Sequence, residues 1–166
     1  MATRLSTMTA ATFTLRLARP ADASLLATMS REFIEDGLRW TWRAPRIARQ
    51  IESSDTVVLV ALEGRRLAGF AIMSYGDTNA HLNLLAVDPA YRMQGLGRRM
   101  VDWLEKTARN AGIFRITLEV RAQNFGGRCF YKALGYREVL LLRGYYQGAE
   151  DAVRMRHNLR VDVTSS

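Results

Sequence analysis

Apolar and polar positions along the chain switch between two rhythms, and the switches mark the elements. Residues 13–18 (Phe13-Thr-Leu-Arg-Leu-Ala18) alternate, as a half-buried strand does. Pro20 stands where a helix starts without losing a hydrogen bond. Leu25, Leu26, Met29, Phe33 and Ile34 then recur at helical spacing, with Gly37 as the stop. Pro45 opens a second short helix with Ile47 and Ile51 on one face. Two Val- and Leu-rich runs, Thr56 to Leu62 and Leu67 to Ser74, flank the polar break Glu63-Gly64-Arg65-Arg66 and predict a hairpin.

His81 to Val87 predicts another strand, closed by Asp88-Pro89. From about Gly95 to Ala111 the period returns to a helix, with Leu96, Met100, Trp103, Leu104, Thr107, Ala108 and Ala111 as its apolar stripe and Gly112 as its end. Phe114 to Arg121 reads as a strand with Ile116, Leu118 and Val120 on one face. Asn124 is placed to cap a fourth helix carrying Phe130, Tyr131 and Leu134 and ending at Gly135. Val139 to Leu142 and Val153 to Leu159 complete the sheet. The order β-α-α-β-β-β-α-β-α-β-β belongs to one mixed α/β domain over residues 13–159. It is preceded by a short flexible segment, 1–12, and followed by a tail, 160–166.

Composition narrows the classes. A chain of 166 residues with 48% hydrophobic content is long enough for one sizeable core. Cys129 is the single cysteine, so no internal disulfide forms and no multi-cysteine zinc site exists. With only His81 and His157 besides, no metal centre is expected, and both histidines read as structural. Cys129 reads as a small buried hydrophobe rather than a nucleophile. The N-terminus has no secretory apolar core and no run approaches a membrane span, so the expected location is cytoplasmic.

The formal charge is +8, and all but Lys106 and Lys132 of the 24 basic residues are arginines. They are scattered over different segments, unlike the clustered stripe of a nucleic-acid surface. Most of this charge describes a solvated surface; the remainder fits an anionic ligand.

One stretch gives that ligand a place. In Val87-Asp-Pro-Ala-Tyr-Arg92-Met-Gln-Gly95-Leu-Gly97-Arg98 a strand ends, a loop with two glycines follows, and a long helix begins. Glycines let backbone N–H groups approach a ligand, and the helix start adds partial positive charge. Arg92, Arg98 and Arg99 add more. Neither G-x-x-x-x-G-K-[ST] nor a complete G-x-G-x-x-G occurs, since Met100 stands at the third glycine position.

Arg92-x-x-Gly95-x-Gly97 after a strand ending in Val87 resembles the acetyl-CoA motif of the GNAT superfamily of N-acetyltransferases, and the order of elements agrees from residue 13 to about residue 159. Leu118 to Asn124, then Phe130-Tyr131-x-x-x-Gly135-Tyr136 and Arg143-Gly-Tyr145-Tyr146-x-x-x-Glu150-Asp151-Ala152-x-x-Met155, are similar to the bacterial ribosomal-protein alanine N-acetyltransferases. The resemblance implies a mostly antiparallel sheet of six or seven strands flanked by about four helices. It implies acetyl-CoA as co-substrate and no metal. Glu119 would be the general base and Tyr131 the general acid. Leu85, Ala86 and Val87 would meet the acetyl and pantetheine arm through their backbone. Arg92, Met93, Gln94, Gly95, Leu96, Gly97 and Arg98 would hold the pyrophosphate, and Asn124 would bond the pantetheine portion.

Chemistry supports these roles independently. Acetyl transfer from a thioester needs a neutral amine, stabilisation of developing negative charge, and a proton for the leaving thiolate. An α-amine with a pKa of about 7.7–8.0 is already partly neutral, so a carboxylate acting through water suffices, whereas a lysine near 10.4 needs a stronger pull. The alternative for Glu119 is a solvated strand residue paired with an arginine, and for Tyr131 a core aromatic.

Trp40 and Trp42, in Arg39-Trp40-Thr-Trp42-Arg43, form either a ligand wall or a core plug. Tyr145 and Tyr146 line the acceptor entrance or cover the sheet edge. The arginines near Trp40 favour an acidic acceptor. The expected partner is an amine, taken as a protein N-terminus, with a small-molecule amine and a non-catalytic CoA-binding module as alternatives. No nucleic acid or membrane partner is expected, and the chain would act as a monomer or homodimer.

Overall fold

The computed structural model describes residues 11–159. The expected tail 160–166, and all of the expected leading segment except residues 11 and 12, lie outside the described residues. One seven-stranded sheet forms the centre, from β1 (Thr14–Leu17), β2 (Thr56–Glu63), β3 (Arg66–Tyr75), β4 (Asn79–Val87), β5 (Arg115–Arg121), β6 (Arg137–Tyr146) and β7 (Glu150–Asn158), in the spatial order β1-β2-β3-β4-β5-β7-β6. All neighbours run antiparallel except β4 and β5. The helices are α1 (Ala23–Phe33), α2 (Ala44–Glu52), α3 (Leu96–Asn110) and α4 (Phe125–Ala133). Element order and sheet type are those expected from the sequence. The last two strands are longer than expected, so β6 carries Tyr145 and Tyr146 at its end.

The core has two layers because the sheet is covered on both faces. Leu26 and Ala27 of α1 and Ile47 of α2 pack on Val58, Val60, Phe70, Ile72, Leu84 and Ala86. On the other face, Met100, Leu104 and Ala108 of α3 pack on Leu59, Ala71, Met73, Ile116, Leu118 and Met155. Each fully buried large side chain contributes about 1.5–3 kcal/mol. Central strands buried on both faces read as apolar runs rather than alternations, which is why Val57–Leu62 of β2 and Leu67–Met73 of β3 carry no polar side chain.

The pairing of β3 with β4 holds the feature that positions the site. Ile72 pairs with Leu84 and Met73 with Leu82, leaving Asn83 as an extra residue. A bulge of this kind bends its strand and shifts which face later side chains take. Before it, Ala80 and Leu82 join the α3 layer; after it, Leu84 and Ala86 join the α1–α2 layer. Gly69 lies opposite Val87, where a Cβ would fall 2.6 Å from the Ala86 carbonyl oxygen, so only glycine fits.

Candidate active site

The parallel seam between β4 and β5 opens partway along. Pairing runs from Asn79 with Arg115 to Leu82 with Leu118 and no further. Past that point β4 continues to Val87 and β5 to Arg121 without pairing to each other. The bulge at Asn83 sits at the branch point and bends β4 away from β5. Leu85, Ala86 and Val87 therefore lie along a strand edge facing the opening, and backbone groups on such an edge are ready to pair with an extended ligand.

β4 leads into the turn before α3. Met93 takes a left-handed φ of 63°, and its side chain is fully exposed. Gly95 follows at φ 75° as the N-cap of α3, with no side-chain capping bond. The first-turn amides of α3, at Leu96, Gly97 and Arg98, thus have no side-chain acceptor and present an anion site. Gln94 is exposed in the same turn. Arg92 folds back so that its Nε donates to the Val87 carbonyl at 3.3 Å. Arg98 lies 4.0 Å from Asp102 on the exposed face of α3. The two glycines do different work. Gly95 supplies the left-handed backbone, whereas a Cβ on Gly97 would meet the Phe130 ring at 3.2 Å, so Gly97 lets α3 approach α4. Arg99, expected to add charge here, instead donates from Nη1 to the Phe13 carbonyl at 2.9 Å, beside β1.

Side chains alternate along β5, so Ile116, Leu118 and Val120 enter the α3 layer and Thr117, Glu119 and Arg121 face the other way. The Glu119 carboxylate is only 6% exposed. His81 Nε2 lies 2.8 Å from its Oε2, and Arg154 Nε donates to Oε1 at 2.9 Å. His81 Nδ1 in turn lies 3.0 Å from Thr117 Oγ1. Burial pushes the Glu119 carboxyl up, but hydrogen bonds and charge from His81 and then Arg154 outweigh it and hold the group below its ordinary range.

Tyr131 is on the opposite face, on α4, where its ring meets Phe130 at 5.0 Å and Tyr136 at 5.6 Å. Its hydroxyl has no hydrogen-bond partner among the described residues. Burial, with a smaller push from Tyr146, drives its phenol well above the ordinary value, so it stays protonated at neutral pH. Asn124 caps α4, its Oδ1 accepting from the Gly127 amide at 2.9 Å, which leaves Nδ2 as its free donor.

Above Glu119 the rim comes from two segments distant in sequence. Tyr145 and Tyr146, with ring centres 5.0 Å apart, end β6; burial raises both phenols, and the Glu119 charge adds to each. Arg121 lies under Tyr146, 6.0 Å from its ring centre, and reaches Glu150 at 3.0 Å and the Ile34 carbonyl at 2.7 Å. The loop between α1 and α2 is organised by Glu35, which is buried. Its carboxylate accepts from the Thr41 amide (2.7 Å), the Thr41 hydroxyl (2.6 Å), the Ser30 hydroxyl (3.0 Å) and the Trp42 amide (3.2 Å).

This loop is joined to the β6–β7 turn by Gln147. Its Oε1 accepts from the Arg39 amide and its Nε2 donates to the Arg39 carbonyl, both at 2.9 Å. Trp42 is buried in the α1–α2 core layer with Arg46 over its ring at 3.6 Å, which makes it a core plug. Trp40 is half-buried between Arg31 and Arg43, at 5.2 and 4.7 Å from its ring centre.

The structure brings Glu119, Tyr145 and Tyr146 together on one side of the opened seam, with Tyr131 on the other face and the Arg92–Arg98 turn at its far end. Besides Arg99, two residues depart from the sequence reading, His81 and Cys129. His81, read as structural, is a direct partner of Glu119. Glu119 has the arginine partner of its alternative reading, but its side chain is 6% exposed rather than solvated. Cys129 is exposed, because α4 buries no residue fully and only Phe130, Tyr131 and Leu134 reach the core. Sequence reasoning also missed Arg154, Arg121, Glu35 and Gln147. The available signal was that polar His81, Thr117, Glu119 and Arg154 alternate with apolar neighbours in their strands.

Among the described residues no group of His, Cys, Asp and Glu could hold a metal ion, and no helix is long and apolar enough to cross a membrane.

The chain is similar to known proteins in sequence and in fold. The ribosomal protein bS18-alanine N-acetyltransferase of Escherichia coli K12 is 39% identical over 93 residues, covering 54% of this chain and 63% of that relative's length. The N-alpha-acetyltransferase RimI of Mycobacterium tuberculosis is 31% identical over 144 residues, 83% of this chain and 87% of that one. The crystal structure of the ribosomal-protein-S18-alanine N-acetyltransferase from Escherichia coli superposes with a TM-score of 0.80 at 25% identity, over 93% of this chain and 99% of that one. The acetyltransferase (GNAT) family matches residues 24–136, and the chain belongs to that family.

Proposed function

We propose that this chain transfers the acetyl group of acetyl-CoA to the free α-amine of a protein or peptide N-terminus. The observation that carries the reading is the pair of proton-handling groups flanking the opened seam: a buried, ionised Glu119 on one face and an unbonded, protonated Tyr131 on the other. The fit to the co-substrate rests on the uncapped start of α3 behind left-handed Gly95 and on the unpaired edge at Leu85, Ala86 and Val87. When bound, acetyl-CoA supplies an acyl group activated as a thioester.

The first-turn amides at Leu96, Gly97 and Arg98, with the Arg92 and Arg98 side chains, hold the pyrophosphate. The β4 edge aligns the extended arm, and Asn124 Nδ2 donates to it. Glu119 accepts the proton that the acceptor amine loses, through a water, as the new N–C bond forms. Tyr131 donates its phenolic proton to sulfur as the C–S bond breaks. An α-amine is partly neutral near pH 7, so a carboxylate with a depressed pKa is an adequate partner, as it would not be for lysine.

The rim favours an extended acceptor with acidic side chains. Arg31, Arg39 and Arg43 are exposed around the α1–α2 loop without a carboxylate partner among the described residues, unlike Arg16, Arg121, Arg128 and Arg154, which are ion-paired. The test is acetyl-CoA turnover with peptides bearing a free α-amine, matched for acidic or basic downstream residues, beside free polyamines and amino acids. Turnover on peptides, highest for the acidic set, is expected; turnover on free amines alone would overturn the N-terminal reading.

A further inference from the structure

Resting on the reading of the acceptor as a protein N-terminus, we propose that arginines on the open face of β5, β7 and β6 form a second acceptor subsite. It takes carboxylate side chains of the acceptor chain a few residues beyond its α-amine. It is separate from the arginines of the α1–α2 loop and plays no part in the chemistry at Glu119.

The two halves of the sheet are covered differently. The α1–α2 layer packs on β2, β3 and β4, and no buried residue of β5, β6 or β7 belongs to it. Ile116, Leu118 and Val120 of β5 and Val153 and Met155 of β7 are buried on the α3 side. Alternation therefore sends Arg115, Thr117 and Glu119 of β5, with Arg154 and Arg156 of β7, to the other face. The register sets the rows on that face. Glu119 opposes Arg154, which opposes Leu140; Thr117 opposes Arg156, which opposes Arg137. Residues opposed across antiparallel strands share a face, so Arg137 stands beside Arg156.

These arginines differ in what they already hold. Arg154 is committed to Glu119, and Arg115 donates from Nε to Asn158 Oδ1 at 3.2 Å. Neither Arg137 nor Arg156 has a carboxylate partner among the described residues, and Arg156 Nε is buried without an acceptor. Like charges directly opposite one another repel, and a buried N–H left unbonded is costly. A carboxylate set between the two side chains relieves both, since a guanidinium pairs with it through two parallel hydrogen bonds.

The spacing suits the acceptor. Strands about 4.8 Å apart with a rise of about 3.4 Å per residue put the Arg156 and Arg137 backbones about 8 and 12 Å from that of Glu119. An extended chain advances about 3.3–3.6 Å per residue, so one whose α-amine is at Glu119 brings roughly its third to fifth residues over this row. Leu140 is 50% exposed on the edge strand and adds apolar surface beside the path. The row holds no aromatic side chain and is too short for the basic stripe of a nucleic-acid surface, which favours carboxylates over a ladder of phosphates.

The test compares acetylation of peptides that share their first two residues and then carry a short run of glutamates, glutamines or lysines. The readout is the ratio of kcat/KM on the glutamate peptide to that on the glutamine peptide, for the wild type, Arg137→Glu and Arg156→Gln. Acetyl-CoA affinity is measured on each variant as a check of folding. The wild type should prefer the glutamate peptide about fivefold, through KM, and less so as salt is added. Arg137 is exposed, so Arg137→Glu leaves the core intact; it should turn the preference toward the lysine peptide. Arg156→Gln should lower the glutamate preference by about half. A wild-type ratio near one, or a ratio that survives both substitutions, would overturn the subsite and leave the N-terminal reading standing. A wild type without peptide preference that binds a single-stranded RNA oligonucleotide, and loses it in Arg137→Glu, would overturn the subsite in favour of nucleic acid. Turnover on no peptide would overturn the N-terminal reading and the subsite with it.

Discussion

On the side of the opened seam proposed for acetyl-CoA, residues 92–98 build their turn from consecutive backbone: left-handed Met93, left-handed Gly95, and a helix start with no side-chain cap. On the acceptor side nothing is local. Glu119 is held by His81 from β4 and Arg154 from β7, Arg121 reaches back to Ile34, and Gln147 bonds Arg39 across 108 residues of sequence. A backbone site tolerates changes of side chain around it, because its donors are main-chain groups. A site made of converging side chains changes its chemistry with each substitution.

Substitutions should separate the two sides. The largest effect is expected of Glu119→Gln, which keeps shape and removes the proposed base. Turnover should fall by about 10²–10³-fold, with acetyl-CoA affinity within a factor of two of the wild type, measured by steady-state kinetics and calorimetry. Comparable losses of both would merge the two sides. Glu35→Ala comes next: it strands the buried Trp42 amide and Ser30 hydroxyl and leaves the part-buried Thr41 amide without its acceptor. A loss of about 3 kcal/mol in urea unfolding is expected, while a loss below about 1 kcal/mol would mean that the loop finds other partners.

Gly95→Ala has open space for its methyl group but the wrong backbone sign. It should cost about 1–2 kcal/mol and weaken acetyl-CoA binding, leaving the KM for peptide unchanged. Gln147→Ala is the mirror experiment. It removes two exposed hydrogen bonds, worth about 1 kcal/mol each, and should raise the peptide KM several-fold without touching acetyl-CoA affinity.

The smallest expected effect is a pH dependence. The folded Glu119 carboxyl lies below its ordinary value, so its contribution to stability is complete above the unfolded value of about 4.3 and is lost as the pH falls through the folded one. Urea midpoints measured down through that range should decline less steeply for Glu119→Gln than for the wild type.

The asymmetry of the two sides also explains what the sequence revealed. Alternation, apolar runs and helical spacing located the seven strands and four α-helices, because each must bury one face or both. The Arg92–Gly97 turn was legible for the same local reason, as was Asn124 at the start of α4. The bulge at Asn83 was not, since nothing in His81-Leu-Asn-Leu-Leu marks which residue leaves the ladder; only its mismatch with β3 does. His81 looked inert because its partner lies on the next strand, reached through the parallel β4–β5 pairing. Trp42 and Gln147 were ambiguous because their roles depend on how a long loop closes, which no short window of sequence encodes.

The central claim is that the opened seam delivers an acetyl group to an α-amine through Glu119. Its most direct test is mass-spectrometric mapping of the product after incubating the protein and acetyl-CoA with a peptide that carries both a free N-terminus and an internal lysine. Acetylation of the α-amine alone, slowed in Glu119→Gln, is the expected result. Acetylation of the lysine, or α-acetylation at an undiminished rate in Glu119→Gln, would contradict it.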